Sequence, residues 1–138
     1  MPRTKQRTPE LRGRFDVLPE SDDPRADLLA VIDAYRSFVV GNPVLAAVMF
    51  SRPFADFDPG PAELRKTGSA RHFVVGRVRR CTDSGVLVGE ETDIAHALLA
   101  LAQGLAAQEN AGWLGSSKAS VDRRWSLAFR ALLAGLAA

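Results

Sequence analysis

Residues 94–110 form a segment that would be apolar on almost every side if it were a helix. The run from Ile94 to Gln108 contains 15 residues without a charge, most of them alanine or leucine. About 18 apolar residues are needed to span a bilayer, so this segment is too short to cross one. A helix that is apolar all round must be covered on every side. A chain of 138 residues has little of its own surface for that purpose, so a second subunit is the expected cover.

The composition is that of a single globular domain. Hydrophobic residues make up 46% of the chain and charged residues 25%, which is ordinary for a folded protein. Cys81 is the one cysteine, so an intrachain disulfide and a cysteine-based zinc site are both excluded. The N-terminus lacks the apolar core of a signal peptide, and we therefore expect a cytoplasmic location and no membrane partner.

The charge is distributed unevenly along the chain. The first 14 residues carry five basic side chains against the single acid Glu10, and the remainder is slightly acidic. A slightly acidic domain does not attract the negatively charged phosphates of nucleic acid, so we expect it to bind DNA poorly. The expected organisation is a basic, unstructured arm over residues 1–18 and one domain over residues 19–138.

Helix-start and helix-stop signals divide the domain into five predicted helices, and no strand is expected. The predicted starts are Asp23-Pro24, Asn42-Pro43, Gly60-Pro61, Thr92 or Asp93, and Ser116-Ser117. Gly41, Gly85 and Gly112 are the predicted ends of three of these helices, with Gly41 as a left-handed cap. Apolar residues recur with a period near 3.6, which indicates an all-α fold.

The residues that could perform chemistry are few. Of the two histidines, only His96 has a carboxylate at helical spacing, Asp93. We therefore predict no enzyme activity, no catalytic residue, no metal and no cofactor. Cys81 follows a basic cluster, so it is either a thiol of lowered pKa or a small apolar residue on the buried face.

Polar residues inside the apolar fourth helix are more informative. They include His96, Gln103 and Glu109, and they either hold the core together or provide the polar groups of an apolar ligand pocket. Aromatic residues could form the wall of such a pocket or belong to the core. The candidate ligand-binding set is Phe50, Phe54, Phe73, His96, Gln103 and Trp125.

Four stretches of sequence carry a resemblance to a known family. They are DPRADLL (23–29), NPVLAAVMF (42–50), RRCTDSGVL (79–87) and QGLAAQENAG (103–112). Through them, residues 22–136 resemble the C-terminal ligand-binding and dimerisation domain of TetR-type transcriptional regulators, which are repressors of a bacterial type. The resemblance implies an all-α domain that binds a small, often hydrophobic effector.

The same resemblance implies a homodimer. The last two helices, Ile94–Asn110 and Lys118–Ala137, would form a four-helix bundle across a two-fold axis. The candidate interface residues are Leu98, Leu101, Leu105, Phe129, Leu132 and Leu133. Effector binding would shift a population between two quaternary states.

The chain also departs from the family pattern. Residues 8–14 resemble the opening of the family's helix-turn-helix domain, but near Phe15 to Leu18 the sequence passes directly to the sensor region. We therefore expect the DNA-binding head to be absent, so that DNA is reached only through a helix-turn-helix domain not present here. The alternative is a non-sensing dimerisation partner that forms inactive heterodimers with a full-length regulator.

Overall fold

The structure, a computed structural model, describes the backbone of residues 11–44 and 60–138, and the side chains of residues 11–44 and 68–138. Within these ranges the fold consists of the helices α1 (Leu11–Asp16), α2 (Pro24–Gly41), α3 (Gly60–Asp83), α4 (Glu91–Asn110) and α5 (Lys118–Leu136). These residues form no strand, and the sole extended pairing among them is an isolated bridge between Leu87 and Ala137. The predicted all-α class is confirmed. Most of the short helix predicted to begin at Pro43 lies outside the described residues.

Helix α2 is formed by the signals that the sequence carries at its start. The Asp23 carboxylate accepts a hydrogen bond from the Ala26 N–H, and Pro24 occupies the first turn. The end differs from the prediction, because Gly41 does not have a positive φ. The Asn42 side chain instead donates a 3.0 Å hydrogen bond to the Phe38 carbonyl, which satisfies a group left free at the helix end.

The later helix boundaries follow local chemistry closely. Gly85 and Gly112 adopt φ values of 80° and 79°, as expected for glycines just after helices α3 and α4. Ser117 caps α5 by accepting a hydrogen bond from the Ser120 N–H. Helix α4 begins slightly earlier than predicted, because the Glu90 carboxylate caps the N–H groups of Thr92 and Asp93.

Helix α1 lies in the arm that we expected to be unstructured. Leu11 and Phe15 are both buried, and the Phe15 ring stacks on Phe73 at a centroid distance of 5.2 Å. Arg12 donates a 3.0 Å hydrogen bond to the Ser69 carbonyl. The prediction of disorder is therefore wrong from Leu11 onward, because two apolar residues four apart form one face that packs on α2 and α3.

Helix α4 is covered on one side only. Ile94, Ala95, Leu98, Ala102 and Ala106 are buried against the rest of the chain. The opposite side, made by Ala97, Ala100, Gly104 and Ala107, is exposed. Helix α5 packs on α4, and its buried residues are Trp125, Phe129 and Leu133. None of the described helices is long and apolar enough to cross a membrane.

Candidate functional site

A cleft of about 310 Å³ lies between α2 and α5. We call it the α2–α5 cleft; it is lined by Leu29, Ile32, Asp33 and Arg36 on α2, and by Asp122, Trp125, Ser126, Phe129 and Arg130 on α5. Ile32, Trp125 and Phe129 are buried and form an apolar floor. The volume is at the lower end of the range for small-molecule sites, about 300–1,000 Å³.

Three of the residues that line this cleft form a group with Glu109 that we call the Arg36 junction; they are Arg36, Asp122 and Trp125. The Arg36 guanidinium donates to both Glu109 oxygens, at 3.0 and 3.3 Å, and to Asp122 at 2.9 Å. It also lies over the Trp125 ring, 4.9 Å from the centroid. The junction therefore connects α2 to the end of α4 and to the beginning of α5.

The charges of the junction stabilise one another. Burial opposes the charge on Arg36, but the hydrogen bonds to Glu109 and Asp122 outweigh it and raise the pKa of the guanidinium. Hydrogen bonds from Lys118 and then Arg36 lower the pKa of Asp122. The Arg36 guanidinium and the Asp122 carboxylate are therefore ionised at neutral pH, and the junction is a charged network at the edge of an apolar floor.

A second polar contact lies between α2 and α4. The Tyr35 side chain is almost fully buried and is hydrogen-bonded to Gln103, which is half-buried. Burial raises the pKa of Tyr35 above its ordinary value. The phenol is therefore neutral at any physiological pH, and this contact places a hydroxyl and an amide among apolar side chains.

A third polar group joins the segment before α2 to α3. Asp27 is buried and accepts hydrogen bonds from the Ser21 hydroxyl, the Ser21 N–H and Arg80. These bonds, with those from Ser21 the strongest cause, lower the pKa of Asp27 to about 2. Since all the partners are within the chain, this network is a structural anchor rather than a binding site.

Arg77 extends the same network into the core. Its Nη2 donates a 3.0 Å hydrogen bond to the Leu18 carbonyl, and its guanidinium lies over the Phe73 ring. Its Nη1 is buried, has no hydrogen-bond partner in the described part of the chain, and is 3.9 Å from Asp27.

Cys81 has the properties of a core residue. Its side chain is fully buried on α3, and burial raises the pKa of the thiol above its ordinary value. The neighbouring Arg80 lowers that pKa by less than burial raises it. Of the two interpretations left open by the sequence, the geometry favours the small apolar residue.

The candidate ligand-binding residues lie in separate places. Phe50 and Phe54 are outside the described residues. Phe73 is half-buried and stacks on Phe15, whereas His96 is exposed on α4. Gln103 is bonded to Tyr35, and Trp125 is in the α2–α5 cleft. The described members are thus distributed over α3, α4 and α5, and a pocket shared by them stays a prediction.

The candidate interface residues divide into two groups. Leu98, Phe129 and Leu133 are buried within the chain's own core. Leu101, Leu105 and Leu132 are half-buried and pack against the edge of that core. Contact of any of them with a partner stays a prediction, and the most exposed positions of α4 and α5 are their neighbours.

The charged residues that line the cleft were not among the sequence candidates. Arg36, Asp33 and Arg130 have no distinguishing spacing, and the partners of Arg36 are 73 and 86 positions away. Glu109 was noted only as a polar residue in an apolar helix. That was the one available signal, since an acid in such a helix requires a buried partner.

The fold thus defines the class of this protein as an all-helical domain. A short helix α1 and helices α2–α4 surround its core, and α5 packs on α4. Residues 28–132 match the family model of the tetracyclin repressor-like C-terminal domain. The chain belongs to this family, whose members are parts of transcriptional regulators.

A solved structure has the same fold. It is that of a protein with unknown function from Rhodococcus sp. RHA1, with a TM-score of 0.75 and 22% sequence identity. The alignment covers 93% of this chain and 67% of that chain. At this identity the likeness concerns the fold alone. No curated protein matches the sequence.

Proposed function

We propose that this chain is the sensor and dimerisation part of a TetR-like transcriptional regulator, which binds a small, largely apolar effector in the cytoplasm. The observation that carries the proposal is the family match, because residues 28–132 include nearly all of α2 to α5. In such a regulator, DNA is contacted by a separate helix-turn-helix domain. The part proposed here recognises the effector and pairs two subunits.

The proposed pairing surface is the outward side of α4 and α5. On α4, the exposed residues Ala97, Ala100, Gly104 and Ala107 are small enough to let another helix approach closely. On α5, the side chain of Leu127 is 58% exposed and has Ala131 and Ala134 beside it. Two copies of this apolar surface, related by a two-fold axis, would cover each other. Leu101, Leu105 and Leu132 would contribute from its edge.

The proposed effector site is the interior around Tyr35 and Gln103. Pockets for small apolar molecules require a few polar groups that fix the ligand's orientation. The hydroxyl of Tyr35 and the amide of Gln103 converge from α2 and α4 and meet that requirement. Phe73 is a candidate for the apolar lining, as are Phe50 and Phe54. His96 is exposed and would take part only at an entrance.

The Arg36 junction supports a route from the effector site to the pairing surface. Arg36 directly follows Tyr35 on α2, and it bonds to the end of α4 and the start of α5. A shift of α2 on effector binding would therefore change the relative positions of both pairing helices. This is the coupling between two sites that a regulator requires.

Two measurements test the proposal. Light scattering should give a mass of about 30 kDa, twice the 14.9 kDa of one chain, and a monomer would contradict the pairing. A thermal-shift screen of small apolar compounds should find ligands that raise the melting temperature. Gln103→Leu should weaken the binding of those ligands. A dimer that responds to no compound would contradict the sensing role.

A further inference from the structure

We propose that the α2–α5 cleft is a second binding site, apart from the interior effector site, for a small zwitterion with an apolar body. Its chemistry is that of a free α-amino acid with an aromatic or large aliphatic side chain. The apolar body would lie on the floor of the cleft. The ammonium group would contact Asp33, and the carboxylate would contact Arg130.

The floor of the cleft offers apolar contact to a ligand. The rings of Trp125 and Phe129 are nearly parallel, with 12° between their planes and 6.0 Å between their centroids. Ile32 continues this surface from α2. The indole N–H is already bonded to Glu109 and the Arg36 guanidinium lies over the ring, so Trp125 offers the cleft no free hydrogen-bond donor. The volume of about 310 Å³ limits the ligand to a small molecule.

The rim of the cleft carries one uncommitted charge of each sign. Asp33 is exposed and has no ion pair or hydrogen bond within the described part of the chain. Arg130 makes a single long bond, 3.4 Å to the Ser126 carbonyl. The other two charges, Arg36 and Asp122, are held by the junction. A ligand that complements this rim therefore carries both a positive and a negative group.

The two free charges are on opposite walls of the cleft. Asp33 is on α2 and Arg130 on α5, and no ion pair joins them within the described residues. In the proposed complex, a molecule that carries an ammonium and a carboxylate on one carbon would contact both. A purely cationic or purely anionic ligand would leave one of the two charges without a partner.

Tryptophan fluorescence tests the proposal directly. The chain has two tryptophans, so Trp113→Phe leaves Trp125, on the floor of the cleft, as the only reporter. The probes are L-phenylalanine, phenethylamine, 3-phenylpropionate and 2-phenylethanol, which share a ring and differ in charge. L-Phenylalanine should give a saturable change and bind about fivefold more tightly than each of the others. No saturable change, or equal affinity for all four probes, would overturn the proposal.

Two exposed substitutions identify the charges involved. In the Trp113→Phe background, Asp33→Asn should make L-phenylalanine bind no better than 3-phenylpropionate, and Arg130→Gln should make it bind no better than phenethylamine. Arg123→Gln, an exposed arginine elsewhere on α5, is the matched control and should leave affinity unchanged. Retention of full L-phenylalanine affinity by both cleft variants would show that the zwitterion assignment is wrong.

Discussion

The indole N–H of Trp125 donates a 2.8 Å hydrogen bond to Glu109, and the Glu109 oxygen that accepts it also accepts a bond from Arg36. Glu109 is in the last turn of α4 and Trp125 is in the second turn of α5. The bond therefore joins the end of α4 to α5, and these are the two helices that we propose to form the pairing surface. It also satisfies a buried N–H group that would otherwise have no partner.

Glu109→Gln should destabilise the protein. The side chain keeps its size but loses the charge that Arg36 faces in a partly buried position, and one of its oxygens is replaced by a hydrogen-bond donor. We expect the free energy of unfolding to fall by about 1–3 kcal/mol. Urea unfolding at one fixed protein concentration measures this.

Glu91→Gln is the matched control for that change. Glu91 forms a bidentate ion pair with Arg79, as Glu109 does with Arg36, but at the surface. Exposed pairs contribute little to stability, so the loss should be clearly smaller. Equal losses in the two variants would show that the Arg36 junction behaves as an ordinary surface pair.

Asp27 should make the stability depend on pH in the acid range. Its pKa is about 2 in the folded chain, below the ordinary value of 3.8, because Ser21 and Arg80 bond to the carboxylate. Because the pKa of this carboxyl group is lower in the folded chain than in the unfolded chain, its ionised form stabilises the fold at pH values above the unfolded pKa. This contribution is lost as the pH falls from about 4 to about 2. Urea unfolding across that pH range measures the slope.

Asp27→Asn removes the titrating group and should flatten this part of the slope. Asp16→Asn is the control, since Asp16 forms an exposed pair with Arg12 on a single helix. It should leave the slope nearly as it is in the parent chain. If Asp27→Asn retained the parent's full slope between pH 4 and pH 2, other carboxylates would have to account for it.

Gly112→Ala should weaken the connection between α4 and α5. Gly112 has a φ of 79°, where an L side chain is strained, and its N–H bonds to the Glu109 carbonyl at 3.1 Å. We expect a loss of about 1–2 kcal/mol in the free energy of unfolding. Thermal and urea unfolding both measure this loss.

The matched control is Gly76→Ala. Gly76 is exposed within α3, and a methyl group added there would meet no atom within 4 Å. This substitution should instead raise the free energy of unfolding, by up to about 1 kcal/mol. A loss of stability at Gly76 equal to that at Gly112 would contradict the conformational argument.

Leu127→Lys should impair pairing without unfolding the chain. Leu127 is more than half exposed in the single chain, so a lysine there costs little until a second subunit covers it. We expect the dissociation constant of the dimer to rise by at least about tenfold. Sedimentation or light scattering over a dilution series measures it.

Val17→Lys is the control for added charge. Val17 is also highly exposed, but it follows α1 and is outside the proposed pairing surface. The Val17→Lys dimer should dissociate over the same range of protein concentration as the dimer of the parent chain. A Leu127→Lys dimer as tight as that of Val17→Lys would place the interface elsewhere.

Local signals in the sequence were sufficient for the fold class and for most helix boundaries. Pro24 after Asp23, Ser117 before α5, and the glycines Gly85 and Gly112 all act as predicted. Each signal works through bonds between residues a few positions apart, so it can be recognised without knowing what the helix packs against. Gly41 is the exception, because the side chain of Asn42 provides the missing bond instead.

The roles of the polar residues required the tertiary structure. His96, Gln103 and Glu109 are all on one apolar helix, yet His96 is exposed, Gln103 bonds to Tyr35, and Glu109 bonds to Arg36 and Trp125. The sequence places them on the helix but does not show which side of it each partner approaches.

By itself, therefore, the sequence determined that the chain is all-helical, where most of the longer helices begin and end, and which family it resembles. Only the tertiary structure decided that Leu11 and Phe15 belong to the core, that Arg77 is buried, and that Arg36 connects three helices. The reason is the range of the interactions. Helix signals act within about one turn, whereas burial and ion pairing depend on residues up to 86 positions away.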